Sequence, residues 1–535
     1  MSDRFVGHAL LLLGARLYAP SRPAAVSDPG GTLPEPSATA LVAEGGTITF
    51  VGSDEDARAY AGGAPEVDLG GRLVTPAFVD AHLHAVQAGL VAAGLDLHDA
   101  VSRTDVLDRL AAYAVRRPEG VIFGQGWDER AWPDPRPPDR AELDRATGGR
   151  IVYLGRVDVH SAAVSTAVLD RLPGIADARG FSADGVLTQQ AHHLSRVLVN
   201  DLLSDGDRRA AARWTLRQAA RLGVASVHEL GGPHLGPLAD LTRVLEVGQE
   251  LGLDVVPYWG ELASAEAFAR ARSVGAVGLA GDLCVDGSIG SRTAALHAAY
   301  ADAGHHGAQY LDEDEIAGHV AECTRSGMTA GFHCIGDAAV AAAVTGLRRA
   351  AAEVGTNAVR QAGHRLEHLE LVAASDIPTL AELGVVASVQ PAFDAEWGRP
   401  GELYETRLGP DRARTMNPFG SLARAGVTLA FGTDAPVTPV AGWAMVQAAV
   451  QHSRTDERLS VAEAFAAATE GGHRAAGRTR AGRIAVGWRA DLAAWDVPGS
   501  KGSLPPLTAE DPLPDCVLTV AAGRIAYRSG DEAVG

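Results

Sequence analysis

Lysine is almost absent from this chain. Lys501 is the only one in 535 residues, and arginine supplies every other one of the 47 lysine-plus-arginine side chains. A P-loop lysine, a Schiff-base lysine at a buried strand end and a carboxylated metal-bridging lysine are excluded, unless Lys501 itself serves. Lys501 lies in Pro498-Gly499-Ser500-Lys501-Gly502-Ser503, which reads as an exposed loop. Positive charge is short overall: the net charge is −19. A binder of phosphate backbones carries a basic face, so no nucleic-acid partner is expected. Cysteine is scarce as well. Cys284, Cys323, Cys334 and Cys516 form no CxxC pair and no dense framework. Reduced thiols in a cytoplasmic protein are the expectation. No apolar run approaches the ~18 residues of a membrane span. The run Ala9 to Leu13 lacks a basic flank and a small-residue cleavage site, so neither a membrane segment nor a leader is expected.

What is present suits a large folded body. Apolar residues make up 46% and charged residues 21%, enough to bury a sizeable core. The 62 glycines exceed the usual ~7% and suit many tight turns. The length allows two to four domains, or one large barrel with attachments. The two ends of the chain look alike. Thr39 to Ala43, the turn Glu44-Gly45-Gly46 and Thr47 to Val51 read as a hairpin. So do Val517 to Val520, Ala521-Ala522-Gly523 and Arg524 to Tyr527, and a third pair, Arg483 to Val486 with Asp491 to Trp495 around Gly487. Both ends are therefore expected to build one small β-sandwich, from residues 1–75 and 482–535. Between them, short apolar runs alternate with Ala/Arg/Glu-rich helical stretches, the pattern of β/α units. Strands are expected at 73–81, 223–230, 253–259, 282–286, 328–335, 364–369, 384–390 and 426–433. A ninth run, 150–157, falls within a connection too long for one crossover and is assigned to an insertion at about 90–215. The fold class is thus α/β: a distorted (β/α)8 barrel over 76–481 with a composite β-sandwich.

The chemistry gathers at the expected strand ends. In Asp80-Ala81-His82-Leu83-His84, strand alternation puts His82 and His84 on one face. Two imidazoles so spaced can share one metal ion. Phe332-His333-Cys334 closes the fifth strand, Leu366-Glu367-His368 the sixth, and Gly432-Thr433-Asp434 the eighth. Imidazoles and a carboxylate at these ends converge where barrel active sites lie, and together point to a metal site. Asp286 opens a glycine-rich segment running to Arg292, read as a substrate-facing loop. Gln390, at the end of the seventh strand, could offer an amide to substrate. His228-Glu229 could reach the barrel mouth, and His160 falls in the insertion. The doublets His192-His193 and His305-His306 read as surface or loop residues.

These stretches resemble the amidohydrolase superfamily, and specifically its amidohydrolase-3 group. The resemblance rests on Thr75 to His84, Gly124-Gln125-Gly126-Trp127-Asp128, Asp286 to Leu296, His333-Cys334-Ile335-Gly336-Asp337 and Gly432 to Val437. It implies one or two divalent ions in a barrel, with His82, His84, His333, His368 and Asp434 as metal ligands. Many relatives carry a carboxylated lysine four residues before the Asp-Gly-Ser. Here that position is Asp282, whose side chain is several bonds shorter. From sequence, a supporting carboxylate is preferred to a bridging one, and one zinc ion is preferred to two.

The expected activity is metal-dependent hydrolysis of a C–N bond of amide, N-acyl or N-formyl type in a small molecule, with Asp434 as general base and then acid. A ring deaminase is one alternative. Deaminases of the superfamily place a glutamate three residues after the fifth-strand histidine; here Gly336 stands there, with Asp337 next. A non-catalytic binding barrel is the other alternative. The substrate and the oligomeric state are left open, a homo-oligomer included.

Overall fold

A computed structural model describes residues 9–19, 37–497 and 502–530. Lys501 lies outside the described residues. Eight parallel strands form one sheet: β1 (Phe78–Leu83), β2 (Val224–Gly231), β3 (Asp254–Trp259), β4 (Gly278–Leu279), β5 (Thr329–Cys334), β6 (Arg365–His368), β7 (Val386–Val389) and β8 (Thr428–Phe431), in sequential order. Every residue of β1, β6 and β7 is buried, as expected where helices cover both approaches to a parallel sheet. The sheet closes into a barrel beyond the last ladder pairs. The Asp434 N–H donates to the His82 carbonyl at 2.8 Å and the His84 N–H to the Ala435 carbonyl at 3.1 Å. Helices connect the strands, among them Leu238–Leu251, Glu313–Arg325 and Asp337–Val354. The second opens with a capping box, Asp312 and Glu315 each accepting from the other's backbone N–H.

Two expected strands differ. The run 73–81 is two elements, not one. Leu73–Pro76 pairs with Arg16–Leu17 and Leu492–Asp496 in a different sheet. The switch falls at one peptide: the Ala77 N–H donates to Asp491 in that sheet, and the Phe78 N–H to Gly223 in the barrel. The fourth strand is Gly278–Leu279, not 282–286. Gly281, at φ +105°, kinks the chain there, and a Cβ on it would stand 3.0 Å from the Leu230 Cβ. Beyond the kink only Cys284 bridges to His333, and regular side-chain alternation is lost.

The chain's two ends meet in a pair of sheets. One orders Thr47–Gly52, Ala40–Glu44, Leu10–Leu13 and Glu66–Asp68; the other orders Arg16–Leu17, Leu73–Pro76, Leu492–Asp496, Asp515–Ala521 and Arg524–Arg528. Leu12, Leu41, Ile48, Val74, Leu492 and Val520 fill the space between them. The hairpin expected around Gly487 does not form. Arg483 turns to Glu470 instead, and Arg489 makes a single bridge to Thr47. A third sheet of five strands, Leu95–Asp96, Ile122–Trp127, Val152–Arg156, Ser161–Val164 and Val186–Thr188, lies outside the barrel ladder. It is pinned to the barrel's loops by polar contacts. Asp158 accepts from the hydroxyls of Ser288 (2.7 Å) and Ser291 (2.8 Å). Arg407 links Glu129 (3.2 Å) to the Gly290 carbonyl (3.1 Å).

Candidate metal centre

The ends of β1, β5 and β6 bring four imidazoles together, and each ring is oriented by a bond on its outer nitrogen. His82 donates from Nδ1 to the Glu367 carboxylate at 3.0 Å. His84 Nδ1 lies 3.0 Å from the Leu230 carbonyl. A carbonyl can only accept, so that bond puts the proton on Nδ1 and leaves Nε2 free. His333 is turned the other way, with Nε2 3.3 Å from the Gly287 carbonyl and Nδ1 facing inward. His368 Nδ1 is held by the Gln390 amide oxygen at 2.8 Å. The inward nitrogens are thus His82 Nε2, His84 Nε2, His333 Nδ1 and His368 Nε2.

Two carboxylates face them. Asp434 lies 3.3 Å from His82 Nε2 and 3.2 Å from His84 Nε2. Asp282 lies 3.1 Å from His84 Nε2, 3.6 Å from both His82 Nε2 and His333 Nδ1, and 3.9 Å from His368 Nε2. Asp282 therefore stands among the imidazoles rather than behind them, contrary to the preference drawn from sequence. The kink at Gly281 brings its short side chain inward. Two triads have donor atoms within 4.8 Å of one another: His82, His84 and Asp434, and His82, Asp282 and His368. His82 Nε2 and Asp282 Oδ1 are buried without a hydrogen-bond partner. Orphaned buried donors and acceptors are costly unless something else satisfies them, and this set of imidazole and carboxylate atoms fits a divalent cation. The charges reinforce one another. Burial pushes the His84 ring down, but Asp282 and Asp434 outweigh it and raise it to about 9. Burial raises Asp434, yet His82 and His84 hold it well below the usual carboxylate range.

Beneath the centre lies a buried pair that the sequence reading missed. Arg365 and Glu367, two residues apart on β6, share an inward face and form an ion pair. Burial pushes Glu367 up, but Arg365 and His82 bring it down to about 2. Arg365 also reaches the Ala81 carbonyl at 2.6 Å, the Ser388 hydroxyl at 2.9 Å and His228 Nδ1 at 3.0 Å, and lies over the Tyr258 ring. The signal was available: two charged residues at i and i+2 in an otherwise apolar buried strand must satisfy each other. His228 faces this layer rather than the mouth. Its neighbour Glu229 accepts the Ala85 N–H at 2.8 Å.

Other expected site residues make local contacts. Asp286 spends both oxygens on the backbone N–H groups of Ala295, Ile335 and Gly336. Arg292 pairs with Asp302 on the surface side. Gln390 turns its amide to His368, not to the cavity. The doublet His192-His193 is not on the surface: both sit on the helix Gln189–Asp201, where His192 is buried and 2.7 Å from the Tyr153 hydroxyl. His305 and His306 are exposed. The four cysteines are unpaired. Two cavities adjoin the centre. One is walled by Ile335, Phe393, Trp397 and Tyr404. The other runs along the third sheet and includes His84, Asp282, His333 and Asp434 in its wall. His160 borders both, with its ring centroid 5.1 Å from that of His333.

A closed parallel barrel whose strand ends converge on a buried cluster of imidazoles and carboxylates is the architecture of metal-dependent hydrolases. A family model described as "Amidohydrolase family" matches residues 65–527. The chain belongs to that family and is a hydrolytic enzyme. Among curated relatives, it is 26% identical over 497 residues to Protein LONG AFTER FAR-RED 3 of Arabidopsis thaliana, covering 82% of this chain and 81% of that one. It is 25% identical to the putative amidohydrolase YtcJ of Bacillus subtilis, covering 91% and 96%, and 23% identical to the N-substituted formamide deformylase of Arthrobacter pascens, covering 86% and 90%. Among solved structures, an uncharacterized metal-dependent hydrolase from Pyrococcus furiosus superimposes with a TM-score of 0.70 at 26% identity, over 92% of this chain and 100% of that one. Among the described residues, no helix is long and apolar enough to cross a membrane.

Proposed function

We propose that this enzyme hydrolyses a C–N bond of amide, N-acyl or N-formyl type in a small molecule. The observation that carries the reading is the meeting of six inward donors, His82, His84, His333, His368, Asp282 and Asp434, four of which, His84, His333, Asp282 and Asp434, line a cavity. A divalent cation held there, zinc by the chemistry of its donors, would supply an activated water and a Lewis acid for a carbonyl. His82, His84 and Asp434 would hold one ion, and His333, His368 and Asp282 would hold a second. That arrangement replaces the one-ion preference drawn from sequence, and the reach of Asp282 to all four imidazoles supports it. Asp434 takes the proton of the attacking water and returns it to the leaving amine. Glu367 and Gln390 keep His82 and His368 aimed inward. The unpaired thiols support a reducing, cytoplasmic setting.

The deaminase reading loses its acid. Asp337 accepts the His297 N–H at 2.9 Å and is not among the residues of either cavity. The test is a panel of N-acyl, N-formyl and ureido compounds offered to metal-reconstituted protein, with metal analysis alongside. Turnover of an amide-type compound that a chelator abolishes and the metal restores is expected. Turnover confined to ring amines, or unaffected by chelation, would refute the proposal. Metal analysis of Asp282→Ala beside wild type decides the ion count: two ions should fall to one.

A further inference from the structure

The aromatic-walled cavity holds a carboxylate that nothing in the chain satisfies. Glu370 lies two residues past the end of β6 and is 3% exposed. It lines the cavity that also takes in His333, His368 and Asp434. Among the described residues, no hydrogen bond or ion pair reaches its carboxylate, and Oε2 is fully buried. Other buried carboxylates of the chain are satisfied: Asp80 by the Thr433 hydroxyl and N–H, Asp286 by three backbone N–H groups, Glu367 by Arg365 and His82, Asp394 by Ser453. A buried carboxylate without a partner is costly, so the partner of Glu370 is to be sought outside the chain.

The walls around Glu370 define that partner. Phe393 lies parallel to the His368 ring with centroids 6.0 Å apart, Trp397 follows at 4.9 Å from Phe393, and Tyr404 at 6.3 Å from Trp397. An aromatic wall thus runs from the metal centre to Glu370. The Tyr404 hydroxyl approaches the carboxylate without completing a hydrogen bond and is itself buried without a partner. No lysine or arginine lines the cavity. Its other two carboxylates are engaged already, Asp158 by Arg156 and Asp434 by His82 and His84. A carboxylate among aromatic faces, with no cation of its own, matches an ammonium group: the oxygens accept its N–H bonds, and the rings attract its charge. His368 and Leu369, at φ +71° and +49°, carry the chain into Glu370 in a conformation that non-glycine residues adopt rarely and that folds keep at functional sites.

We propose that Glu370 is a specificity-determining residue that receives a primary ammonium group of the substrate. The substrate is then an amide-type compound that carries a short aminoalkyl arm, with the arm along Phe393 and Trp397 and the scissile bond at the metal centre. This rests on the C–N hydrolase reading. The ammonium is not the nitrogen released by hydrolysis: it stays bonded to its own carbon throughout and serves to fix the register of the substrate against His333, His368 and Asp434.

The test measures binding apart from turnover. Mono-N-acetylated linear diamines and the N-methylamides of linear ω-amino acids, each in graded chain lengths, are titrated by calorimetry into the full-length protein. Each is run beside the analogue that has a methyl in place of the ammonium, with metal-loaded and with chelator-treated protein. In both forms at least one amine should bind about 10- to 100-fold more tightly than its methyl analogue, the factor a hydrogen bond to a charged group supplies. Glu370→Gln should erase that preference and Glu370→Asp should keep part of it. Ligand-free Glu370→Gln should melt no lower than wild type, because the amide removes an unpaired buried charge. Equal binding within every pair, no binding of any amine, a preference present only in the metal-loaded form, or one that survives Glu370→Gln overturns the assignment. A melting temperature lowered by several degrees in Glu370→Gln also overturns it, by making the carboxylate a structural partner. Amines that bind with the preference but are not hydrolysed by the metal-loaded enzyme leave Glu370 as the ammonium site and refute the C–N hydrolase reading instead.

Discussion

At His82 both ring nitrogens are committed. Nδ1 is spent on Glu367, and Nε2 faces Asp434 and Asp282 with no hydrogen bond of its own. The carboxylate behind a metal-binding imidazole orients the ring and raises its basicity, and losing such a partner typically costs about 10–100-fold in metal affinity. Glu367→Gln should show a loss of that size in competition with a chromophoric chelator, with the far-ultraviolet circular dichroism of wild type. Unchanged affinity would mean that Arg365 and Glu367 serve the barrel's interior alone. Asp434 has a different part. It bonds through the barrel's closing seam as well as facing the imidazoles, yet asparagine preserves its shape. Asp434→Asn should retain the fold and much of the metal while losing about 10²–10⁴ in turnover, the usual worth of general acid–base catalysis. A loss under about tenfold, measured at full metal occupancy, would assign Asp434 a structural role.

At the scale of elements, the strand ends were legible where strand and side-chain periodicity agree. His82 and His84 alternate at the end of β1, His333 and His368 fall at the ends of β5 and β6, and Asp434 follows β8 by three residues. β4 was not legible, because two residues of ladder carry no pattern, and the kink at Gly281 that aims Asp282 inward is a matter of backbone angle. His193 was beyond the sequence for a different reason. Its place at the cavity depends on how the third sheet docks on the barrel, and no local spacing encodes that docking. The bonds of Asp286 to the Ile335 and Gly336 N–H groups arise only when the end of β5 lies beside it. The seam between β1 and β8 makes the dependence on close approach testable. A Cβ on Gly432 would stand 2.5 Å from the His82 backbone nitrogen and 2.9 Å from its Cα. Both are backbone atoms, so β8 must retreat. Gly432→Ala should therefore lower metal occupancy by moving Asp434 away from His82 and His84, and should lower the melting temperature by several degrees, as a loss of about 1–3 kcal/mol from overpacking implies. Full metal content in a folded Gly432→Ala protein would show that the seam is more compliant than this.

For the molecule as a whole, the terminal sheets and the barrel are built against each other. Trp495, from the terminal sheet, donates to the Thr75 hydroxyl at 2.8 Å and packs beside Phe78 and Trp443, with Gly223 beneath it. The base of β1 is thereby set by residues at both ends of the chain, and the metal centre sits at the far end of that same strand. The scarcity of lysine acts at this scale too. A bridging lysine must lose a proton and take up carbon dioxide before it can ligate, which ties metal loading to dissolved bicarbonate. In this chain the amine is absent from the barrel, and Asp282, charged without any co-reactant, occupies the space among the imidazoles. Metal uptake by the chelator-treated protein should therefore reach the same stoichiometry and the same rate in carbon dioxide-depleted buffer as in bicarbonate-rich buffer at one pH. Loading that rises with bicarbonate would point to Lys501 as a ligand and would argue against Asp282 as one.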